Sequence, residues 1–169
     1  MCCKLPAVPV LQKPRNTWCQ HCQPGRGCGI YETRPDLCRS FFCEWMMSPE
    51  LGPEWKPETC KFVLLQAPDG NLNVLVDPGY ANAWRDMRYY PRLKTTAAWL
   101  LERGRLAIVL SGADKIVILP DRDERVRVPD DWLIGVRPHT GTTGVTYEVL
   151  TVPGSEPTAM EKHAQGGLA

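Results

Sequence analysis

The pattern of apolar and polar positions changes near residue 60 of this chain. After that point, short apolar runs alternate with turn residues, which is typical of β-strands. Pro-Asp-Gly separates the first two runs and Ser-Gly-Ala-Asp separates the next two, so each pair is predicted to form a hairpin. The predicted strands are residues 62–66, 72–76, 106–110, 115–119, 125–128, 133–136 and 145–152.

Two helices are predicted between the second and third of these strands. The first covers residues 77–87, with Asp77 as N-cap and Pro78 in the first turn. The second covers residues 91–103, and Gly104 after it is suited to a left-handed C-terminal stop. Its apolar stripe recurs with the helical period and consists of Leu93, Ala97, Leu100 and Leu101.

These elements predict an α+β fold: a mostly antiparallel sheet of five to seven short strands with two helices on one face. The sequence before the sheet lacks this regularity and is rich in proline. We therefore predict a Cys-rich metal-binding segment at residues 1–60, an α+β sheet region at 61–152 and a mobile tail at 153–169.

Composition and charge exclude several classes of protein. The chain has 169 residues, 43% hydrophobic and 23% charged, which is ordinary for a globular protein. The formal net charge of +1 gives no general attraction to nucleic acid or to anionic membranes, and we expect neither partner. No apolar run approaches the roughly 18 residues of a membrane span, and no secretory signal is visible, so a cytoplasmic location is expected.

Cysteine is distributed very unevenly along the chain. Seven of the eight cysteines lie in the first 43 residues, and five of them follow the pattern C-x2-C-x5-C-x9-C-x4-C. Thiolates are soft ligands, and a C-x2-C turn lets two sulfurs approach one ion. The spacing therefore predicts a site for zinc, iron or an iron–sulfur cluster. A disulfide framework is the alternative, but such frameworks belong to secreted chains. The predicted ligands are Cys2, Cys3, Cys19, Cys22, Cys28, Cys38 and Cys43.

His21 is a further candidate ligand, because with the seven cysteines it would complete the eight ligands of two tetrahedral ions. We expect residues 4–18 to form an extended arm that brings Cys2 and Cys3 back to the other cysteines. A short helix is predicted over residues 36–46 with Asp36 as N-cap, on which Cys38 and Cys43 would not share one face. The isolated Cys60 is predicted to be a buried small residue at the start of a strand.

Three side chains near the cysteines are predicted to surround the metal. Arg34 and Arg39 could offset the negative charge of a thiolate site and donate hydrogen bonds to sulfur. Solvated surface positions are the equal alternative for both arginines. Tyr31 is predicted to cover the site as part of an apolar shell.

The run Cys28-Gly-Ile-Tyr-Glu-Thr-Arg-Pro-Asp-Leu-Cys-Arg-Ser-Phe, followed by Cys43 and preceded by Cys2-Cys3, resembles the YkgJ-type cysteine-cluster family. That family is described as a zinc- or iron-chelating domain, so the resemblance implies metal binding. It covers about the first 45 residues. Only Met1 precedes Cys2, so the family's earlier cysteines are missing, and Cys19 or Cys22 would take their place. A flagellin lysine-methylating group has a similar cluster, which leaves an enzymatic role open.

Three functions remain as hypotheses. The first is a metal-binding protein with a structural site of thiolates, most simply zinc, and no assigned reaction. The second is an iron–sulfur protein with a redox or radical role. The third is a protein-interaction module that the metal braces. The sequence lacks G-x-S-x-G, H-E-x-x-H and a dinucleotide fingerprint, so catalysis is not the expected role.

Overall fold

A five-stranded sheet is the centre of the computed structural model, which describes residues 1–142 and 144–154. In chain order, the strands are β1 (Cys22–Gln23), β2 (Gly27–Cys28), β3 (Phe62–Gln66), β4 (Leu72–Val76), β5 (Ala107–Ser111), β6 (Asp114–Ile118), β7 (Asp123–Val126), β8 (Trp132–Gly141) and β9 (Gly144–Pro153). The α-helices are α1 (Asp36–Arg39), α2 (Glu44–Met47), α3 (Pro57–Cys60) and α4 (Tyr90–Leu101). Turns of 3-10 helix cover Pro9–Leu11, Pro53–Trp55, Pro78–Tyr80 and Ala83–Arg85.

The central sheet has the order β3-β4-β5-β6-β7, and its pairs are antiparallel except for β4 with β5. The predicted α+β class and both predicted hairpins are confirmed. Parallel neighbours need a long crossover connection. Here the two 3-10 turns and α4 supply it, and α4 packs on β5 and β6.

Among the residues that the structure describes, strands β8 and β9 pair with each other alone, as a ribbon of ten residues on each side. The predicted strands 133–136 and 145–152 are both too short, because β8 runs from Trp132 to Gly141 and β9 runs from Gly144 to Pro153. Threonine and valine in this region favour extended backbone. The turn between the strands is consequently short.

The predicted helix at residues 91–103 is confirmed as α4. Leu93, Ala97 and Leu100 are buried, Leu101 is half-buried, and Gly104 has a φ of 67°. The apolar stripe that the helical spacing predicted is therefore the side of α4 that packs on the protein.

The predicted helix at residues 77–87 is wrong, because the segment forms two separate 3-10 turns. Asp77 still caps the first turn and accepts a hydrogen bond from the backbone N–H of Gly79 at 3.0 Å. Gly79 and Asn82 both have low helix propensity, which explains why the turns do not continue into a helix.

The predicted helix at residues 36–46 is divided into α1 and α2. Pro35, not Asp36, occupies the N-cap position of α1, and Asp36 lies in the first turn. Cys43 has extended backbone and precedes α2. Cys38 and Cys43 therefore do not lie on one continuous helix.

The main core lies between the sheet, α4 and the chain before β3. Trp55, Phe62 and Tyr89 pack edge to face, with ring centroids 5.0–6.0 Å apart. Cys60 is 2% exposed, and its thiol donates to the carbonyl oxygens of Trp55 and Phe62. Its predicted burial is confirmed, although it ends α3 rather than beginning a strand.

The end of the chain is described only in part. Pro153 is the last residue of β9 and Gly154 follows it, while the rest of the predicted tail, residues 155–169, lies outside the described residues. In the part of the chain that the structure covers, no helix has the length and apolar character needed to cross a membrane.

Gly70 provides a test of the β3–β4 turn. Its φ is 81°, and a Cβ there would lie 1.2 Å from Arg105 Nη1, which donates to the carbonyl oxygen of Asp69. We expect Gly70→Ala to lower the free energy of unfolding by about 1–2 kcal/mol, measured by urea denaturation. Gly112→Ala is the control, since it has a similar φ of 61° and no atom near the added Cβ. An equal loss in both variants would show that Arg105 contributes nothing.

Candidate metal centre

The N-terminal arm folds back on itself, as predicted, but it is a closed loop rather than an extended arm. Val8 and Lys13 form a β-bridge around the 3-10 turn, and the N–H of Asn16 donates to the carbonyl oxygen of Leu5. The N–H of Cys19 donates to the carbonyl oxygen of Cys3 at 2.8 Å. This last bond places the start of the chain beside the C-x2-C turn.

A small hairpin brings the next cysteines together. Cys22 in β1 is the register partner of Cys28 in β2, and the N–H of Cys22 donates to the carbonyl oxygen of Cys19 at 3.0 Å. Gly25 in the turn has a φ of 74°, and Gly27 at the start of β2 has a φ of 103°. Glycine adopts both values without strain. The turn residues thus fold the chain back and bring Cys28 opposite Cys22.

The two thiols at the start of the chain shift each other's pKa in opposite directions. A hydrogen bond from the Cys3 thiol lowers the pKa of Cys2 to about 6, and the same contact raises the pKa of Cys3. The neighbouring Cys22 thiol also raises the pKa of Cys3. All the cysteines are free thiols.

Cys38 belongs to the same neighbourhood. Burial raises the pKa of Cys38, and the nearby thiols of Cys19, Cys28 and Cys2 raise it further. Six predicted ligands therefore influence one another: Cys2, Cys3, Cys19, Cys22, Cys28 and Cys38. Within residues 1–142 and 144–154, however, no group of three or more His, Cys, Asp or Glu side chains has the spacing to hold an ion.

The other two candidate ligands lie differently. Cys43 is 3% exposed and packs in a core cluster with Leu5, Val63 and Leu75. The Nε2 atom of His21 lies 3.4 Å from the side-chain amide of Gln20. The structure thus joins Cys43 to the sheet rather than to the six thiols.

The predicted surrounding side chains have different roles. The guanidinium of Arg34 stacks on the Tyr31 ring at 3.8 Å, and its charge opposes the rise in the pKa of Cys38. Arg39 instead donates to the carbonyl oxygens of Arg34 and Glu32. Arg39 therefore braces the loop, and Arg34 is the arginine that acts on a thiol.

Lys13 is a central residue of the site that the sequence analysis did not identify. It is 5% exposed, and its ammonium donates to the carbonyl oxygens of Lys4, Pro6 and Pro14. Burial lowers the pKa of Lys13, while the thiols of Cys19, Cys3, Cys38 and Cys2 raise it. A lone lysine in the apolar, proline-rich run of residues 5–14 was the signal that could have revealed it.

An ion pair attaches this segment to the sheet. Lys4 Nζ lies 2.7 and 2.6 Å from the two carboxylate oxygens of Asp77, which directly follows β4. The Asp77 side chain is 5% exposed, and the neighbouring Leu5 is fully buried. The thiol-bearing loop is consequently held on the sheet through both a charge pair and a core side chain.

Comparisons of the chain with protein-family models, with curated proteins and with solved structures found no match. The resemblance to the YkgJ-type family therefore stays a prediction that rests on residues 2–43.

Proposed function

We propose that this chain is a metal-binding protein whose N-terminal segment holds zinc or iron through cysteine thiolates. The proposal is supported by backbone contacts that bring Cys3 beside Cys19 and Cys22 beside Cys28, and by the effect of six cysteine thiols on one another's pKa or on the pKa of the buried Lys13. Soft sulfur donors in such numbers suit zinc and iron. No reaction is assigned to the site.

Electrostatics support the same proposal. A buried cation is costly unless an anion or a full set of hydrogen bonds compensates it. The charged groups that act most strongly on Lys13, after its burial, are thiols. A divalent ion with four thiolates has a net charge of about −2. Lys13 and Arg34 would offset part of this charge.

The proposed role of the metal is structural, with zinc as the simplest ion. The elements that present the six thiols are two-residue strands, a four-residue helix and turns, which bury little apolar surface. Such segments commonly obtain their folding energy from a metal. Since the described thiols are not at ligand spacing, binding would draw them closer together. A reducing compartment such as the cytoplasm would keep them available.

Metal analysis of the full chain, purified without oxygen, tests this proposal. A colourless protein with stoichiometric zinc would support a structural site, whereas a brown protein with iron and sulfide would favour the redox alternative. Absence of both metals in the protein, and failure to take up added zinc, would overturn the proposal.

Cysteine variants test the ligand set. We expect Cys38→Ser to lower zinc affinity at least about 10-fold, since loss of even an outer hydrogen-bond partner costs that much. Cys28→Ser should have a similar effect. The control is Cys60→Ser, whose thiol lies in the main core and donates to two carbonyl oxygens, so its metal content should not change. Equal zinc affinity in all three variants, measured by chelator competition, would contradict the assignment.

A metal-braced interaction module is a second candidate, because large apolar side chains are exposed on the same segment. These are Val10, Trp18, Tyr31, Leu37, Phe42, Met46 and Met47. An interaction module would bind a protein partner without turnover, and the complex would be lost on unfolding of the sheet rather than on chelation.

A further inference from the structure

Strands β8 and β9 form a ribbon whose two faces differ in charge. Side chains alternate between the faces of a strand, and directly paired residues share a face. The register therefore places the even-numbered residues of 132–140 on one face with the odd-numbered residues of 145–153. This face, which we call the apolar face, has eight apolar side chains and two threonines. The opposite face has Arg137, His139 and Glu148, and Nε2 of His139 lies 3.0 Å from Glu148 Oε2.

The apolar face is accessible in the part of the chain that the structure describes. None of its ten side chains is buried there: Pro138, Thr140 and Val145 are exposed, and the others are half-buried. The opposite face, by contrast, contains Val152, which is 8% exposed. An isolated two-stranded ribbon is marginally stable in water, and it gains stability when its apolar face packs against a further layer. The apolar face is therefore a surface suited to a packing partner.

The edges of the ribbon are less suited to a partner than this face. Pro138 in β8 has no N–H, and prolines in sheets lie where the missing donor faces away from the paired strand. On β9, the carbonyl oxygen of Tyr147 already accepts a hydrogen bond from Arg122. A further strand would lose ladder hydrogen bonds at both positions. Stacking on the apolar face avoids this loss.

We propose that the apolar face is a dimer interface, on which the ribbon of a second copy of this chain stacks. In a two-fold interface the same patch of both copies meets, so the patch must be complementary to itself. The apolar face meets this condition because it has no charged side chain that would be buried or repelled by its copy. Its β-branched side chains are of the kind that interdigitates between stacked sheets.

The size of the face is consistent with a second copy as the partner. Strands of this length extend over about 33 Å, and two of them are about 10 Å wide, so one face covers roughly 330 Å² in projection. The two faces of a dimer present about 660 Å² in projection, and their accessible area is larger because side chains protrude. The stacked ribbons therefore approach the roughly 1,200 Å² at which specific interfaces begin.

The attachment of the ribbon determines how two copies are arranged. The rest of the chain joins it at the end where Trp132 pairs with Pro153, so two copies avoid each other when their ribbons stack in opposite directions. The two-fold axis then passes near the middle of the face, where Val136 pairs with Val149. Each of these valines would lie beside the same valine of the second copy.

Sedimentation equilibrium of the full chain, with a reductant that prevents disulfides between copies, tests the proposal. We expect a dimer at about 100 µM that dissociates on dilution, as suits a small interface. Val149→Lys should raise the dissociation constant at least about 10-fold, because two ammonium groups would meet in an apolar contact. The control is Thr146→Lys, which adds the same charge at an exposed position of the opposite face and should leave the constant unchanged.

Two results would overturn the proposal. A chain that is monomeric at about 100 µM would leave the apolar face to residues 155–169 or to another protein. A dimer that Val149→Lys does not weaken would place the interface elsewhere, for example on the exposed apolar side chains of residues 10–47.

A mixture of variants separates loss of the interface from loss of folding. Val149→Asp should be monomeric by itself, as Val149→Lys should be. An equimolar mixture of the two should form dimers again, because opposite charges then meet at the axis. A mixture that stays monomeric while the wild-type chain and Thr146→Lys dimerise would contradict the arrangement and overturn the proposal.

Discussion

Replacing Asp77 with asparagine is expected to lower the free energy of unfolding by about 3 kcal/mol. The carboxylate is nearly buried and receives both hydrogen bonds of the Lys4 ammonium, so its loss leaves a cation without its partner. Removing one member of a buried pair typically costs about 3–5 kcal/mol. The lower end applies because the Lys4 side chain is 21% exposed and can reach water. Asparagine can still accept the hydrogen bond from Gly79, so the variant tests the ion pair and not the cap.

The measurement is urea denaturation of the single variants Asp77→Asn and Lys4→Met and of the double variant. The double variant should be more stable than the sum of the single losses predicts, because it leaves neither charge unpaired. The control is Lys56→Met, which breaks an exposed ion pair with Glu58 and should cost less than about 1 kcal/mol. Strictly additive losses at Lys4 and Asp77 would contradict the role assigned to the pair.

This ion pair is also a feature that the sequence did not reveal. Asp77-Pro78 is a good local signal for a helix start, and Asp77 does cap a turn. However, its carboxylate is shared with Lys4, which lies 73 positions earlier in the chain. A contact between residues so far apart in the chain cannot be predicted from the spacing of apolar and polar positions. The β3–β4 hairpin, by contrast, was predictable because Asp69 and Gly70 determine the turn through local bonds.

In the candidate site, too, contacts between residues close in the sequence were predictable, and contacts with the distant sheet were not. The C-x2-C spacing predicted that Cys19 and Cys22 lie close together, and Cys28 joins them through the short hairpin that follows. The position of Cys43 was not predictable from spacing. It depends on the break between α1 and α2 and on a core space beside Val63, which belongs to the sheet.

Lys13 was missed for a related reason. Lysine is usually exposed, and a pattern of apolar and polar positions treats it as a surface residue. Its burial depends on three carbonyl oxygens, of Lys4, Pro6 and Pro14, that converge only when the loop closes. Two of these oxygens belong to prolines, which interrupt regular structure, so a side-chain donor takes the place of a backbone partner.

Replacing Lys13 with methionine, which has a similar length but no donors, is therefore expected to destabilise the protein by about 2–4 kcal/mol. Each buried acceptor left without its partner costs about 1–3 kcal/mol, and partial hydration of the loop would recover some of this cost. Urea denaturation of the metal-free protein measures the effect. The control is Lys61→Met, since the ammonium of Lys61 donates to Glu58 O near the surface and lies 5.2 Å from the centre of the Tyr80 ring, and it should cost less than about 1 kcal/mol.

The same variant tests the electrostatic part of the proposed metal site. Without the ammonium, the negative charge of a thiolate centre is less well compensated, so Lys13→Met should lower zinc affinity about 10-fold. Chelator competition at a low urea concentration, where the variant is still folded, separates this effect from unfolding. Loss of stability with unchanged zinc affinity would mean that Lys13 only closes the loop. Unchanged values of both would show that the three carbonyl oxygens and the thiols do not depend on its charge.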